Sequence, residues 1–281
     1  MYVKVALLLV ALVAGSWAFP KLEDEQDMSI FFTQLDSSAR IVGGTQAPSG
    51  SHPHMVAMTT GTFIRSFSCG GSVVGRRSVL TAAHCIAAVF SFGSLASTLR
   101  LTVGTNFWNQ GGTMYTVARN ITHPHYVSAT IKNDIGLFIT HNNIIDTTVV
   151  RSIPLNFDYV PGGVLTRVAG WGRIRTGGAI SPSLLEIIVP TISGSACVAS
   201  AIQAGIDLNM RPPPVEPHIE LCTFHGPNVG TCNGDSGSAL ARLDNGQQIG
   251  VVSWGFPCAR GGPDMFVRVS AYQSWLQQSI V

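Results

Sequence analysis

Apolar and polar positions alternate unevenly along the chain. An unbroken apolar run, VALLLVALVA at 5–14, follows Lys4 and leads into Ser16-Trp17-Ala18. A short apolar core behind a base, ending in small residues, is the layout of a secretory signal peptide over 1–18; a buried core helix is the other reading. Residues 19–40 are polar and acidic and predict little packing. Further on, β-rich runs recur at Ser78–Thr81, Arg100–Val103, Ile135–Thr140, Val164–Ala169, Leu184–Val189, Gln248–Ser253 and Met265–Val269. Gly or Pro punctuates almost every gap, which predicts an all-β sandwich or barrel. Ser270–Ile280 places Tyr272, Trp275, Leu276 and Ile280 at helical spacing and predicts a terminal amphipathic helix. The tract NMRPPPVEP at 209–217 predicts a stiff extended loop, or a proline-rich recognition tract.

Composition narrows the class. With 281 residues, 46% hydrophobic and 11% charged, the chain can bury a sizeable core and is not a disordered protein. A formal net charge of +2 is too small to point to nucleic acid or an anionic membrane. The charge is nevertheless divided. Glu23, Asp24, Glu25, Asp27 and Asp36 lie before residue 41, whereas residues 41–281 carry +4, and Lys132 is their only lysine. An acidic leader on a basic body suggests removable segments. The arginine excess would keep its charge in an alkaline fluid, although codon usage would produce the same bias.

Secretion makes the six cysteines, Cys69, Cys85, Cys197, Cys222, Cys232 and Cys258, candidates for three disulfides. Their number alone does not select a pairing. None forms a C-x-x-C pair, which argues against zinc. His52-Pro53-His54 and His123-Pro124-His125 read as loop histidines. No Asp or Glu occurs between Ile86 and Asn133, so no calcium site is expected there. Asn120-Ile121-Thr122 is a glycosylation sequon, expected on a surface loop.

Three segments carry chemistry only when taken together: Thr81-Ala82-Ala83-His84-Cys85, Asn133-Asp134-Ile135-Gly136-Leu137 and Gly234-Asp235-Ser236-Gly237. Acyl transfer needs a hydroxyl nucleophile, a base to take its proton and an acid to orient the base. The order His, Asp, Ser resembles that of the chymotrypsin-like (trypsin-fold) serine proteases. Arg40-Ile41-Val42-Gly43-Gly44, Ser68-Cys69-Gly70-Gly71-Ser72, Ala169-Gly170-Trp171-Gly172 and Ser253-Trp254-Gly255 extend the resemblance over 41–281.

The resemblance implies two packed six-stranded antiparallel β-barrels with a C-terminal helix, the active site lying between the barrels. It implies His84 as base, Asp134 as its orienting acid, Ser236 as nucleophile and the Gly234 and Ser236 amides as oxyanion hole. It also implies disulfides Cys69–Cys85, Cys197–Cys222 and Cys232–Cys258, and a zymogen cut after Arg40 that lets the Ile41 ammonium pair with Asp235. The specificity pocket would have Gly230 as floor, Ser253, Trp254 and Gly255 as one wall and Asp264 opposite. Gly floor with Asp wall resembles the crab collagenases and related arthropod digestive enzymes, which accept apolar and basic residues; a plain chymotrypsin-like pocket is the competing expectation. Gly136 and Ser238-Ala239 depart from the family's usual residues without removing a catalytic atom.

The expected partners are therefore protein or peptide substrates, an activating trypsin-like protease and protein inhibitors. No cofactor is expected, and the chain should act as a secreted monomer, with a gut lumen as one site of action. A processing protease with a single target and an inactive homologue serving as a binding protein are the alternatives.

Overall fold

A computed structural model describes residues 28–31 (of 29 and 30 the backbone only), 44–173, 178–226, 229–256, 258 and 260–281. The apolar run at 5–14, Arg40 and Ile41 lie outside the described residues. The strands are β1 (Thr45–Gln46), β2 (Met55–Thr60), β3 (Ser66–Val73), β4 (Ser78–Thr81), β5 (Phe90–Ser91), β6 (Ser94–Leu95), β7 (Arg100–Val103) and β8 (Thr113–Tyr115). They continue with β9 (Val117–Thr122), β10 (Gly136–Thr140), β11 (Leu165–Gly170), β12 (Leu185–Ile192), β13 (Glu220–Thr223), β14 (Ala239–Arg242), β15 (Gln248–Gly255) and β16 (Asp264–Arg268). Among the described residues, three α-helices, α1 (Ala83–Ala88), α2 (Gly194–Leu208) and α3 (Gln273–Ser279), accompany them.

Two antiparallel sheets organise the molecule. The first runs β8-β7-β2-β3-β4-β10-β9 and curls into a half-barrel. The second runs β12-β11-β14-β15-β16-β13 and closes when Thr191 and Ile192 of β12 pair with Thr223 and Cys222 of β13. This is the two-barrel trypsin fold expected from the sequence. β1 joins β12 through Thr45–Glu186 and Gln46–Leu185, so the chain touches the second barrel before it builds the first.

Each barrel has its own core. Val56, Leu80, Leu101, Leu137 and Phe138 fill the first, and α3 closes it with Leu276. Val168, Leu240, Val252 and Phe266 fill the second. β12 alternates buried and more exposed positions, the signature of a strand with one wet face. β15 is buried along almost its whole length because Ile249 and Val252 fill the second core while Val251 joins the cluster of the first. Between the barrels, Trp171 packs with Ala57, Ala169 and Leu184 and donates its Nε1–H to the Asn106 carbonyl at 2.8 Å. A buried Trp needs that acceptor to avoid an unsatisfied donor.

α2 was not expected. Ser193 caps it by accepting the Ala196 N–H, and Asn209 ends it at φ 51°. Cys197, Ala201, Ala204 and Gly205 form its buried face. The proline tract then folds back as an extended loop: a Cβ on Gly205 would lie 2.8 Å from Pro212 Cδ. Three disulfides, Cys69–Cys85, Cys197–Cys222 and Cys232–Cys258, tie β3 to α1, α2 to β13 and the two loops that flank Ser236 and β16. Asn120 corrects one expectation. It lies half-buried on edge strand β9, opposite Phe138, rather than on a loop, because the Val117–Thr122 run pairs with β10.

Candidate active site

β4 ends at Thr81 and the chain turns at once into α1, which carries His84. Asp134 sits just ahead of β10, after Asn133, whose φ of 54° turns the backbone into the strand. A Cβ on Gly136 would meet the end of the Ile86 side chain at 2.4 Å and the Ile121 carbonyl at 3.1 Å, so the family's usual alanine would require Ile86 to shift. The Asp134 carboxylate is 1% exposed and accepts three hydrogen bonds: from His84 N–H at 2.8 Å, from His84 Nδ1 at 2.8 Å and from the Ser253 hydroxyl at 2.6 Å. Burial pushes this carboxyl up, but the His84 charge and hydrogen bonds, with the Ser253 hydroxyl, outweigh it and hold the group below its ordinary value. His84 Nδ1 is thereby committed to Asp134. Its Nε2 lies 3.6 Å from Cys85 Sγ.

Ser236 reaches the same place from the second barrel. Its loop runs between Gly234, at φ +100°, and Gly237, at φ +83°. Its carbonyl accepts the Gly70 N–H of β3 at 2.8 Å. A Cβ on Gly237 would stand 2.2 Å from Thr81 Oγ1 and 2.4 Å from the Gly70 carbonyl, so only glycine permits this approach to the first barrel. Ser236 and Ser253 line one cavity, and Ser253 in turn holds Asp134.

Asp235 points the other way, into the protein. It is fully buried and accepts the Gly172 and Cys232 N–H groups at 2.8 and 2.9 Å. A Cβ on Gly172 would lie 2.4 Å from its carboxylate, which explains the glycine after Trp171. Among the described residues no cation pairs with it, and burial pushes its carboxyl up to about 7 against the pull of the two N–H groups.

Of the residues expected to form the pocket, Ser253, Trp254 and Gly255 line the cavity with Ser236, whereas Gly230 and Asp264 are not among its lining residues. Gly230 is buried, and the N–H of the next residue, Thr231, donates to Asp264 Oδ2 at 2.8 Å. Asp264 pairs with Gly255 across the β15–β16 ladder, where a Cβ on Gly255 would lie 3.2 Å from Asp264 Oδ1. Burial pushes the Asp264 carboxyl up to about 7. Asp264 therefore bridges the segment after Gly230 and the Gly255 edge.

One feature of the wall escaped sequence reasoning. Glu220 Oε1 accepts from Lys132 Nζ at 2.8 Å and from Trp254 Nε1 at 2.9 Å, with Lys132 Nζ 5.5 Å from the Trp254 ring centre. A buried ion pair thus fixes Trp254, the tryptophan expected in the pocket wall. The only signal was that Lys132, the lone lysine of 41–281, stands in the apolar segment ahead of Asp134.

The described residues hold one grouping of potential metal donors close enough to share an ion, Cys69, His84 and Cys85. Two of the three are bonded to each other as a disulfide, so the set does not suit a metal. His52 instead contacts Glu186, and burial lowers His54 to about 3.

The trypsin family model matches residues 41–276. Chymotrypsin-2 of Vespa crabro is 32% identical over 240 residues, covering 85% of this chain and 99% of the hornet protein. Trypsin alpha-4 of Lucilia cuprina is 31% identical over 246 residues, covering 86% and 88%. Trypsin delta of Drosophila melanogaster is 30% identical over 245 residues, with the same coverages. Sequence, fold and relatives agree that the chain belongs to the trypsin family of serine proteases.

Proposed function

We propose that the protein is a secreted digestive endopeptidase, made as a zymogen that is cut after Arg40. The observation that carries the reading is the Asp134 carboxylate, gripped twice by His84 and once by Ser253 at the cavity that holds Ser236. Asp134 fixes the imidazole so that Nδ1 keeps its proton and Nε2 is the basic atom. Ser236 Oγ attacks the scissile carbonyl as His84 Nε2 takes its proton. The same proton then goes to the leaving amine, and water repeats the cycle on the acyl-enzyme. The Gly234 and Ser236 amides stabilise the oxyanion, an effect worth about 3–4 kcal/mol per donor in a dry site.

Activation works through Asp235. Burial disfavours its ionised form and no described cation offsets it, so a new ammonium at Ile41 would find a waiting counter-charge. Pairing would set the loop that carries both oxyanion donors. For the pocket, the uncharged Gly230 floor accepts large apolar side chains, and Asp264 adds an off-axis carboxylate for Arg or Lys. The hornet relative is named a chymotrypsin and the fly relatives trypsins. An uncharged floor combined with an off-axis carboxylate favours digestion of varied proteins over a single processing target.

The test is kcat/KM on short amide substrates ending in Phe, Leu and Arg, using enzyme cut after Arg40, with Asp264→Gly beside wild type. Cleavage of Arg substrates is expected to rise relative to that of Phe and Leu substrates as pH passes about 7, where Asp264 ionises, and Asp264→Gly to lose Arg cleavage alone. If wild type never cuts Arg, or the variant keeps it, Asp264 does not serve the pocket.

A further inference from the structure

The leader also packs onto the site. Met28–Phe31 forms a single 3-10 turn, far in sequence from the walls it meets. Phe31 is 4% exposed. Its ring stands edge-on to Trp254, with centroids 5.7 Å apart, and to Phe256, at 6.1 Å. Ile131, three residues before Asp134, belongs to the same apolar cluster, and Met28 packs against it half-buried. Phe31 also lines the cavity that contains Ser236, Ser253 and Trp254. That cavity holds about 20 Å³, room for about one water and none for a substrate side chain. An aromatic side chain of the acidic segment therefore covers the wall against which a substrate chain must lie.

We propose that the leader is a ligand of its own active site. Phe31 anchors it on Trp254 and Phe256, and after the cut the freed leader remains there as a reversible competitive inhibitor until it is diluted or digested. This rests on the reading that the chain is cut after Arg40. Residues 19–40 contain no cysteine, so nothing covalent would hold the leader after that cut. Before the cut the tether keeps its effective concentration high; afterwards only the intrinsic affinity remains. The charges help. Residues 19–40 carry a formal −3, and residues 41–281 a formal +4, so association should weaken as salt is raised.

The test uses activated enzyme and a synthetic peptide of residues 22–36, which lacks Arg40; because the proposed pocket takes apolar side chains, mass spectrometry follows the peptide through the assay, and cleavage after Phe31 or Phe32 overturns the proposal. The enzyme's N-terminal sequence is read first. The expected result is competitive inhibition of a short chromogenic substrate, with apparent KM raised and kcat unchanged. The Phe31→Ala peptide should be weaker by about tenfold or more, the loss expected for one buried aromatic ring. An enzyme that starts at Ile41 and is left equally active, or is equally inhibited, by both peptides overturns the proposal. An active enzyme that does not start at Ile41 instead overturns the activation reading on which it rests.

Discussion

At the scale of single residues, the site is governed by where burial opposes charge and what answers it. Asp134, Asp235 and Asp264 are all buried carboxyls, yet they fall on different sides of their ordinary value. Asp134 meets an imidazole and a hydroxyl and is held down, whereas Asp235 and Asp264 meet mainly backbone N–H groups and are pushed up to about 7. Ser253, expected as part of the pocket wall, spends its hydroxyl on Asp134. Hydrogen bonds to charged groups contribute about 1.5–3 kcal/mol. Ser253→Ala should therefore lower kcat by up to about tenfold to a hundredfold, leave KM nearly unchanged and move the acid limb of the pH profile upward. Ser253→Thr, which keeps the hydroxyl, should restore most of the loss. An unchanged pH profile in Ser253→Ala would show that the hydroxyl does not support Asp134.

At the scale of elements, Trp254 is fixed by contacts between distant strands and loops. Trp254 on β15 is oriented by Glu220 on β13, and Glu220 is neutralised by Lys132 in the loop before β10. Removing one partner of a buried pair leaves the other charge stranded, at a cost of about 3–5 kcal/mol. Lys132→Met should destabilise by about that much in urea unfolding, and adding Glu220→Gln should recover a large part of it. A Lys132→Met protein as stable as wild type would mean that the pair is not buried in solution.

This is also where the limits of sequence reading show. The segments around His84, Asp134 and Ser236 were legible because the residues that shape them are adjacent: the glycines that let the Ser236 loop approach β3 flank the serine itself. Most strands were legible from short apolar runs and Gly/Pro punctuation. The Lys132–Glu220–Trp254 group was not, since its members lie 88 and 34 positions apart and nothing local marks them. α2 was missed although Ser193 and Asn209 cap it. Its buried face is mostly Ala and Gly, which give a weak apolar period. Phe31 gave no signal because its partners are reached only through the fold.

At the scale of the whole molecule, the uncleaved chain holds a buried carboxyl, Asp235, whose proposed partner comes from a distant peptide bond. A carboxyl raised from its ordinary value to about 7 stabilises the fold fully below the unfolded value, and that contribution is lost as pH rises through about 7. Asp264 acts in the same sense. His54, kept neutral by burial down to about 3, acts in the opposite sense, losing stability as pH falls below the ordinary histidine value. The informative comparison is therefore wild type against Asp235→Asn in uncleaved protein. Wild type should lose stability relative to the variant between about pH 4 and about pH 7, by up to a few kcal/mol. Cutting after Arg40 should abolish the difference in slope, because the Ile41 ammonium keeps Asp235 ionised. Parallel curves before the cut would contradict the account of Asp235.

That Ser236 is the nucleophile of an active peptidase is tested most directly by labelling the activated enzyme with a fluorophosphonate probe, followed by mass mapping. The expected result is one probe per chain, on Ser236, with loss of peptidase activity in step with labelling and neither label nor activity in Ser236→Ala. Label on another residue, or peptide hydrolysis that survives in Ser236→Ala, would contradict it.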